Sequence, residues 1–169
     1  MGVFSKSIKT FDDLFVHTLQ DMYYAEQAIV AALPKMAKKA ATPALRQAFA
    51  THLRESETQI TRLERVFALH GAETKPVTCQ AVDGIIDETD HLMSEIEDPV
   101  VLDAAMLSAA QAIEHYEICR YGTLVAFARR LGYEDCARIL EETLAEEKAT
   151  DRKLTDLAER GINSRAAAE

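Results

Sequence analysis

The chain has 169 residues, of which 48% are hydrophobic and 28% charged, with a formal net charge of −9. This length fits a single domain with a full core, and the acidic balance argues against nucleic acid as a partner, because phosphate binding needs clustered Lys and Arg. No apolar run approaches the roughly 20 residues that a membrane-spanning helix needs, so we expect no membrane partner.

The cysteines argue against two common kinds of stabilising site. There are three of them, far apart and without a Cys-x-x-Cys pair: Cys79, Cys119 and Cys136. An odd number at such spacing predicts neither a disulfide framework nor a zinc site, and it fits a reducing compartment. We therefore expect a cytoplasmic protein.

Start and stop signals predict four long helices and one short helix. Thr10 and Asp13 form a capping box before a helix over about 11–40, and Thr42-Pro43 begins a second helix over about 43–70. A long connection follows, with an amphipathic stretch over about 79–94. Asp98-Pro99 begins a helix over about 99–131, and the last helix covers about 134–160. The stop signals are Gly71, Gly132 and Gly161, and residues 161–169 are expected to fray.

The lengths of the connections predict the architecture. The links after the first and third long helices are short, so each of those helices forms an antiparallel hairpin with the next one. The connection between the hairpins is about 25 residues long, which allows a crossover along the bundle. No segment shows the alternating pattern of a β-strand in place of the helical periodicity. The prediction is one all-α domain over residues 1–169, a ferritin-like four-helix bundle with one short extra helix.

Acidic residues interrupt three stripes that are otherwise almost entirely apolar. Glu26 follows Phe15, Leu19 and Met22 at helical spacing, Glu117 lies between Ile113 and Tyr121, and Glu147 follows Leu140 and Leu144. Folding would direct these acids into one interior layer. A buried ionised carboxylate costs several kcal/mol or more unless a cation, a partner or a proton compensates its charge. Several acids converging in a core therefore indicate a bound cation.

We interpret the layer as a metal centre shared by four helices. The candidate ligands are Glu26, Glu55, Glu114, Glu117, Glu147 and Asp151. The second helix is the ambiguous one: Glu57 is an alternative to Glu55. On the same polar stripe, His52 is expected to be a hydrogen-bonded core residue or to support the ligands rather than to bind the metal directly, and the role of Gln59 is left open. Carboxylate-rich sites of this kind suit iron or manganese, and two metals would need bridging carboxylates. The Glu-x-x-His element of di-metal bundles is missing, which favours harder ions.

A faint internal repeat supports a two-fold arrangement of the hairpins. The segment from Leu33 to Lys39 resembles the segment from Leu124 to Arg130 at a displacement of 91 residues, and the same displacement places Glu26 on Glu117. Hairpins related by a two-fold axis would bring these two acids to opposite sides of one centre.

Several blocks of sequence resemble the YciF/YciE type of bacterial stress protein. They occur in order along nearly the whole chain and are most specific at residues 114–118 (EHYEI) and 146–151 (EEKATD); others cover 24–26, 33–37, 52–60, 110–114, 121–124 and 143–147. The resemblance implies a rubrerythrin-like bundle, a homodimer, a dinuclear metal centre at the six candidate residues and an association with stress. It names no substrate, and the absent Glu-x-x-His pattern argues against ordinary ferroxidase or peroxidase activity.

Two functional hypotheses remain open at this point. The first is a stress-response protein with a mono- or dinuclear iron or manganese centre, which would act on peroxide or oxygen if it is an oxidoreductase. The second is a non-catalytic structural or interaction protein whose buried polar layer binds no metal and sets the packing of the helices. Whether the protein is an enzyme is left open by the sequence.

Overall fold

A computed structural model describes residues 8–169; the start of the predicted domain, before Ile8, lies outside this range. The elements are α1 (Phe11–Lys39), α2 (Pro43–His70), α3 (Gln80–Glu95), α4 (Pro99–Leu131) and α5 (Glu134–Leu157). A π-helical turn (Ala158–Ile162) and a short helix, α6 (Asn163–Ala166), follow. The described residues contain no strand. The all-helical prediction is confirmed.

The local signals at most helix ends behave as the sequence indicates. The Thr10 hydroxyl accepts a hydrogen bond from the Asp13 amide, and the Asp13 carboxylate accepts one from the Thr10 amide, both at 3.0 Å. Gly71 and Gly132 adopt φ angles of 82° and 81°, the left-handed conformation that closes a helix at little cost for glycine.

Two ends of helices differ from the prediction because tertiary contacts override the local signal. The Thr42 side chain does not cap α2. Instead the buried Asp103 of α4 accepts the Ala41 and Thr42 amides at 2.8 and 2.7 Å. The chain does not fray after Gly161 but stays helical to Ala166. Burial of Ile162, which is 3% exposed, favours this continuation.

The long helices form two antiparallel hairpins, α1 with α2 and α4 with α5, and this arrangement confirms the predicted ferritin-like bundle. The crossover helix α3 lies against α1 and α4. The apolar stripes of all these helices meet in a continuous core. No helix among residues 8–169 is long and apolar enough to cross a membrane. The bundle places the middles of α1, α2, α4 and α5 at one level, where the acidic residues of the apolar stripes meet.

Candidate metal centre

Four side chains from three helices converge in the middle of the bundle. They are His52 of α2, Glu114 and Glu117 of α4, and Glu147 of α5; each contributes one potential ligand atom, and these atoms all lie within 4.8 Å of one another. All four side chains are buried, with exposures of 3% or less. Among the described residues this is the group of His, Cys, Asp and Glu side chains that has the spacing of a metal site.

The imidazole of His52 faces two of these acids. Its Nδ1 lies 3.0 Å from Glu114 Oε1, and its Nε2 lies 3.9 Å from Glu117 Oε2. Burial, followed by the charge of Lys153, lowers the pKa of His52 to about 4. The ring is therefore neutral at physiological pH and has a lone pair available for a metal.

Glu26 joins the layer from α1. It is fully buried, and the Tyr121 hydroxyl donates a hydrogen bond to its Oε1. Glu26 also faces Glu117, and Glu114 faces Glu147. Two carboxyl groups hydrogen-bond to each other only when one of them carries a proton. The layer thus contains two facing pairs of acids, with one tyrosine donor at its edge.

Six of the eight buried carboxyl oxygens of this layer lack a hydrogen-bond donor. Among the polar atoms that have no hydrogen-bond partner are Oε2 of Glu26, both carboxyl oxygens of Glu114 and of Glu117, and Oε2 of Glu147. Buried polar groups in folded proteins are almost always paired, so orphan oxygens on this scale need an explanation. A cation at the centre of the cluster would pair them.

Burial also changes the charge state of the acids when no cation is present. Burial raises the pKa of Glu26, Glu114, Glu117 and Glu147, and the neighbouring Glu147 carboxylate raises the pKa of Glu26, Glu114 and Glu117 further. Protons are thus the alternative to a cation in this layer. A bound metal would displace them, because ligands bind metals in the deprotonated form.

Gln59 connects the layer to an ion pair at the surface of the bundle. Its amide donates to Glu147 Oε1, and it also donates to Glu146 Oε2 at 3.3 Å. Arg62 in turn donates two hydrogen bonds to Glu146, at 2.5 and 2.7 Å. This chain of contacts fixes one oxygen of Glu147 and leaves the other, Oε2, without a hydrogen bond.

Of the six candidate ligands, Glu114, Glu117 and Glu147 belong to the cluster and Glu26 adjoins it from α1, facing Glu117, whereas the other two lie apart. Glu55 has a side chain 28% exposed that accepts the Thr150 hydroxyl at 3.3 Å. Asp151 is 21% exposed and lies 3.2 Å from His115 Nε2. Neither belongs to the cluster of facing ligand atoms. The alternative on the second helix, Glu57, is exposed.

Two residues of α2 have positions that the sequence interpretation missed. His52 lies within the cluster rather than behind it, and Ser56 is fully buried with an unpaired hydroxyl, where Glu55 was expected. The signal was present: up to Val66 the buried residues of α2 alternate between three- and four-residue steps, Leu45, Phe49, His52, Ser56, Gln59, Leu63 and Val66. Glu55 lies about 100° from Ser56 around the helix, which takes it off that face.

Comparisons with known proteins agree with this fold. The family described as "Domain of unknown function (DUF892)" matches residues 10–167. Protein YciF of Escherichia coli (strain K12) is 44% identical over 161 residues, which cover 95% of this chain and 97% of YciF.

Solved structures are similar along nearly their whole length. The crystal structure of the stress protein YciF from E. coli has a TM-score of 0.88 and 44% identity, and covers 92% of this chain and 99% of its own. YcfI from Rhodopseudomonas palustris, provisionally named a structural protein, has a TM-score of 0.88 and 50% identity. The match covers 90% of this chain and 98% of the YcfI chain. A protein from Xanthomonas campestris pv. campestris has a TM-score of 0.70 and 24% identity, and the match covers 89% of this chain and 92% of that protein. At this identity the similarity shows the fold alone.

Proposed function

Because the chain belongs to the DUF892 family and is 44% identical to YciF, a stress protein of E. coli, we propose that it is a stress-associated protein that binds iron or manganese in its helix bundle. The observation that carries the proposal is the cluster of His52, Glu114, Glu117 and Glu147, which combines four facing ligand atoms with buried oxygens that lack donors.

The donor set fits this class of metal. Three carboxylates and one imidazole suit iron and manganese, whereas thiolate ligands, which would favour zinc or an iron–sulfur cluster, are absent from the cluster. Glu26 faces Glu117 and offers a further unpaired oxygen. This additional carboxylate supports a dinuclear centre, in which carboxylates bridge and balance the charge of two ions.

The remaining contacts prepare the ligands for binding. Gln59 fixes one oxygen of Glu147 and Tyr121 fixes one oxygen of Glu26, so each carboxylate presents its other oxygen without reorganisation. The neutral His52 adds a ligand without adding charge. A bound iron or manganese ion would supply redox chemistry toward dioxygen or peroxide, the class of reaction that we propose for a catalytic role in stress.

The test is metal analysis of the untagged protein by ICP-MS, as purified and after anaerobic loading with Fe(II) or Mn(II). We expect one or two ions per chain in the wild type and a loss of bound metal in Glu147→Ala. The matched control is Glu57→Ala, which removes an exposed acid from α2 and should leave the metal content unchanged. Wild-type protein without metal above background in both preparations would contradict the proposal.

One observation favours a second function, that of a structural protein. The raised pKa values of the facing acids allow neutral carboxyl pairs that hydrogen-bond to each other without any metal. Such a polar layer would fix the register of the helices. It predicts that chelators leave the melting temperature unchanged and that Glu117→Gln is tolerated or stabilising.

A further inference from the structure

A small cavity lies between α1, α3 and α4 and ends at the imidazole of His52. Its volume is about 30 Å³, and a water molecule needs roughly 10–15 Å³ by the same measure, so it has room for a molecule of two or three heavy atoms. The wall consists mainly of aliphatic and thioether side chains: Ile29, Leu33, Met36, Ile86, Met93 and Ile113.

The polar groups at the outer wall of this cavity are already satisfied. Thr89 donates its hydroxyl to the Ile85 carbonyl at 2.6 Å. Asp90 forms an ion pair with Lys35 at 2.7 Å, and both side chains are about half exposed, with values of 46% and 52%. The ion pair marks the place where the cavity approaches solvent between α1 and α3. The wall therefore offers little hydrogen bonding and no uncompensated charge to a molecule that passes it.

The inner end of the cavity is different. His52 is 3% exposed, its Nε2 has no hydrogen-bond partner, and the ring faces Glu114 and Glu117 of the metal cluster. A molecule that fills the cavity thus contacts a proposed ligand of the metal without first crossing the layer of acids. The crossover helix α3 supplies one wall, which gives this extra helix a role beyond connecting the hairpins.

We propose that this cavity is the access route and holding site for an apolar diatomic molecule, namely dioxygen, next to the proposed metal centre. The wall excludes anions because an unpaired ion loses its hydration there, and it disfavours peroxide because it lacks donors and acceptors to replace water. The inference rests on the proposed metal site for its purpose, but the cavity and its selectivity are properties of the chain alone.

The first experiment therefore uses metal-free protein. Dissolved dioxygen under pressure enhances the relaxation of nearby methyl groups in NMR spectra. We expect the methyl groups of Ile29 and Leu33, each 3% exposed, to show several-fold larger enhancements than those of Leu63 and Val66, which are 1% and 0% exposed and lie outside the cavity. Equal enhancements in the two sets would overturn the proposal, whatever the metal content of the protein.

The second experiment follows the rate at which nitric oxide, a neutral diatomic probe, binds to the Fe(II)-loaded protein in stopped flow. Ala109→Leu fills the cavity from α4, and Ala112→Leu adds the same side chain at an exposed position one turn further on. Because the larger side chain narrows the route, we expect a rate about tenfold lower in Ala109→Leu, which corresponds to about 1.4 kcal/mol, and no change in Ala112→Leu.

A widening variant keeps the test independent of misfolding. Ile86→Ala enlarges the cavity from α3 and should raise the nitric oxide rate, whereas azide, an anion, should gain no comparable advantage. If the iron loads normally and all three variants bind nitric oxide at the wild-type rate, the access route is wrong and the metal site stands. If no iron loads, the relaxation experiment still decides about the cavity.

Discussion

Glu146 and Glu147 are adjacent in α5 but lie in opposite electrostatic surroundings. Glu146 is at the partly exposed seam between α2 and α5, where Arg62 donates two hydrogen bonds to its carboxylate. Burial opposes the ionisation of Glu146, yet the hydrogen bonds and charge of Arg62 hold its pKa below the ordinary value. Glu147 is 1% exposed and faces other acids, and burial raises its pKa.

This difference shows which acids of the chain are complete within the fold. Glu146 is paired with the Arg62 guanidinium, and Asp103 accepts hydrogen bonds from two backbone amides, so both carboxylates are satisfied without a ligand. Glu147 has one amide donor and one orphan oxygen. The buried layer therefore requires a proton or a metal from solution, whereas the seam requires nothing further.

The most direct way to break this comparison is to neutralise each of the two neighbours in turn. Glu147→Gln should weaken Mn(II) binding by more than about 100-fold, because the loss of a mere supporting contact already costs 10–100-fold. Glu146→Gln should weaken it by less than about tenfold, since it acts only through Gln59. Titration calorimetry measures both affinities. Equal losses in the two variants would show that the layer and the seam are not distinct.

The second largest effect concerns thermal stability. A metal at a hundredfold excess over its Kd stabilises the folded chain by about 2.7 kcal/mol, which for a domain of this size raises Tm by roughly 5–10 °C. Melts of chelated and Mn(II)-loaded protein, followed by circular dichroism, measure this shift. Glu147→Ala at the same Mn(II) concentration serves as a control for unspecific screening of the net charge. A Tm that is the same with and without Mn(II) would favour the structural polar layer.

The dependence of stability on pH distinguishes protons from metal in the layer. Burial and neighbouring acids raise the pKa of Glu26 to about 8, and burial raises that of Glu147 to about 7, above the ordinary value of 4.5. The folded metal-free chain then holds protons that the unfolded chain releases. These groups stabilise the fold fully below pH 4.5, and the free energy of unfolding falls as the pH rises through 7 and 8.

Metal reverses this trend, because protons and metal compete for the same oxygens. The gain in Tm from Mn(II) should therefore be larger at about pH 8 than at about pH 5, while the chelated protein becomes less stable over the same interval. Thermal melts of the chelated and the Mn(II)-loaded protein across that range measure both trends. A chelated protein whose stability is flat with pH would contradict the raised pKa values.

The smallest effect is expected at the seam. Arg62→Met removes the partner of Glu146, but the two side chains are 21% and 34% exposed, so solvent screens much of their attraction. We expect a loss of about 0.2–1 kcal/mol in the free energy of unfolding, and metal stoichiometry equal to that of the wild type. A loss of metal in this variant would instead show that the contacts from Arg62 through Gln59 hold Glu147 in place.

Local sequence predicted the elements of this fold and the acids that interrupt its apolar stripes. Helix starts and stops depend on nearest neighbours, as in the capping box of Thr10 or the left-handed Gly71, and therefore appear in the sequence. The periodicity of an α-helix is also local, so Glu26, Glu117 and Glu147 could be assigned to buried faces without any structure.

Contacts between distant segments decided the rest. The rotation of α2 about its axis, which brings His52 and Ser56 to the centre and leaves Glu55 at the edge, follows from how the ridges of α2 pack against α1 and α5. The helical continuation beyond Gly161 is accompanied by burial of Ile162, and the cavity above His52 exists only where α3 crosses α1 and α4. The sequence determined which side chains each helix buries, because that depends on a period of 3.6 residues; the tertiary structure determined which of them meet, because that depends on the level and rotation at which whole helices pack.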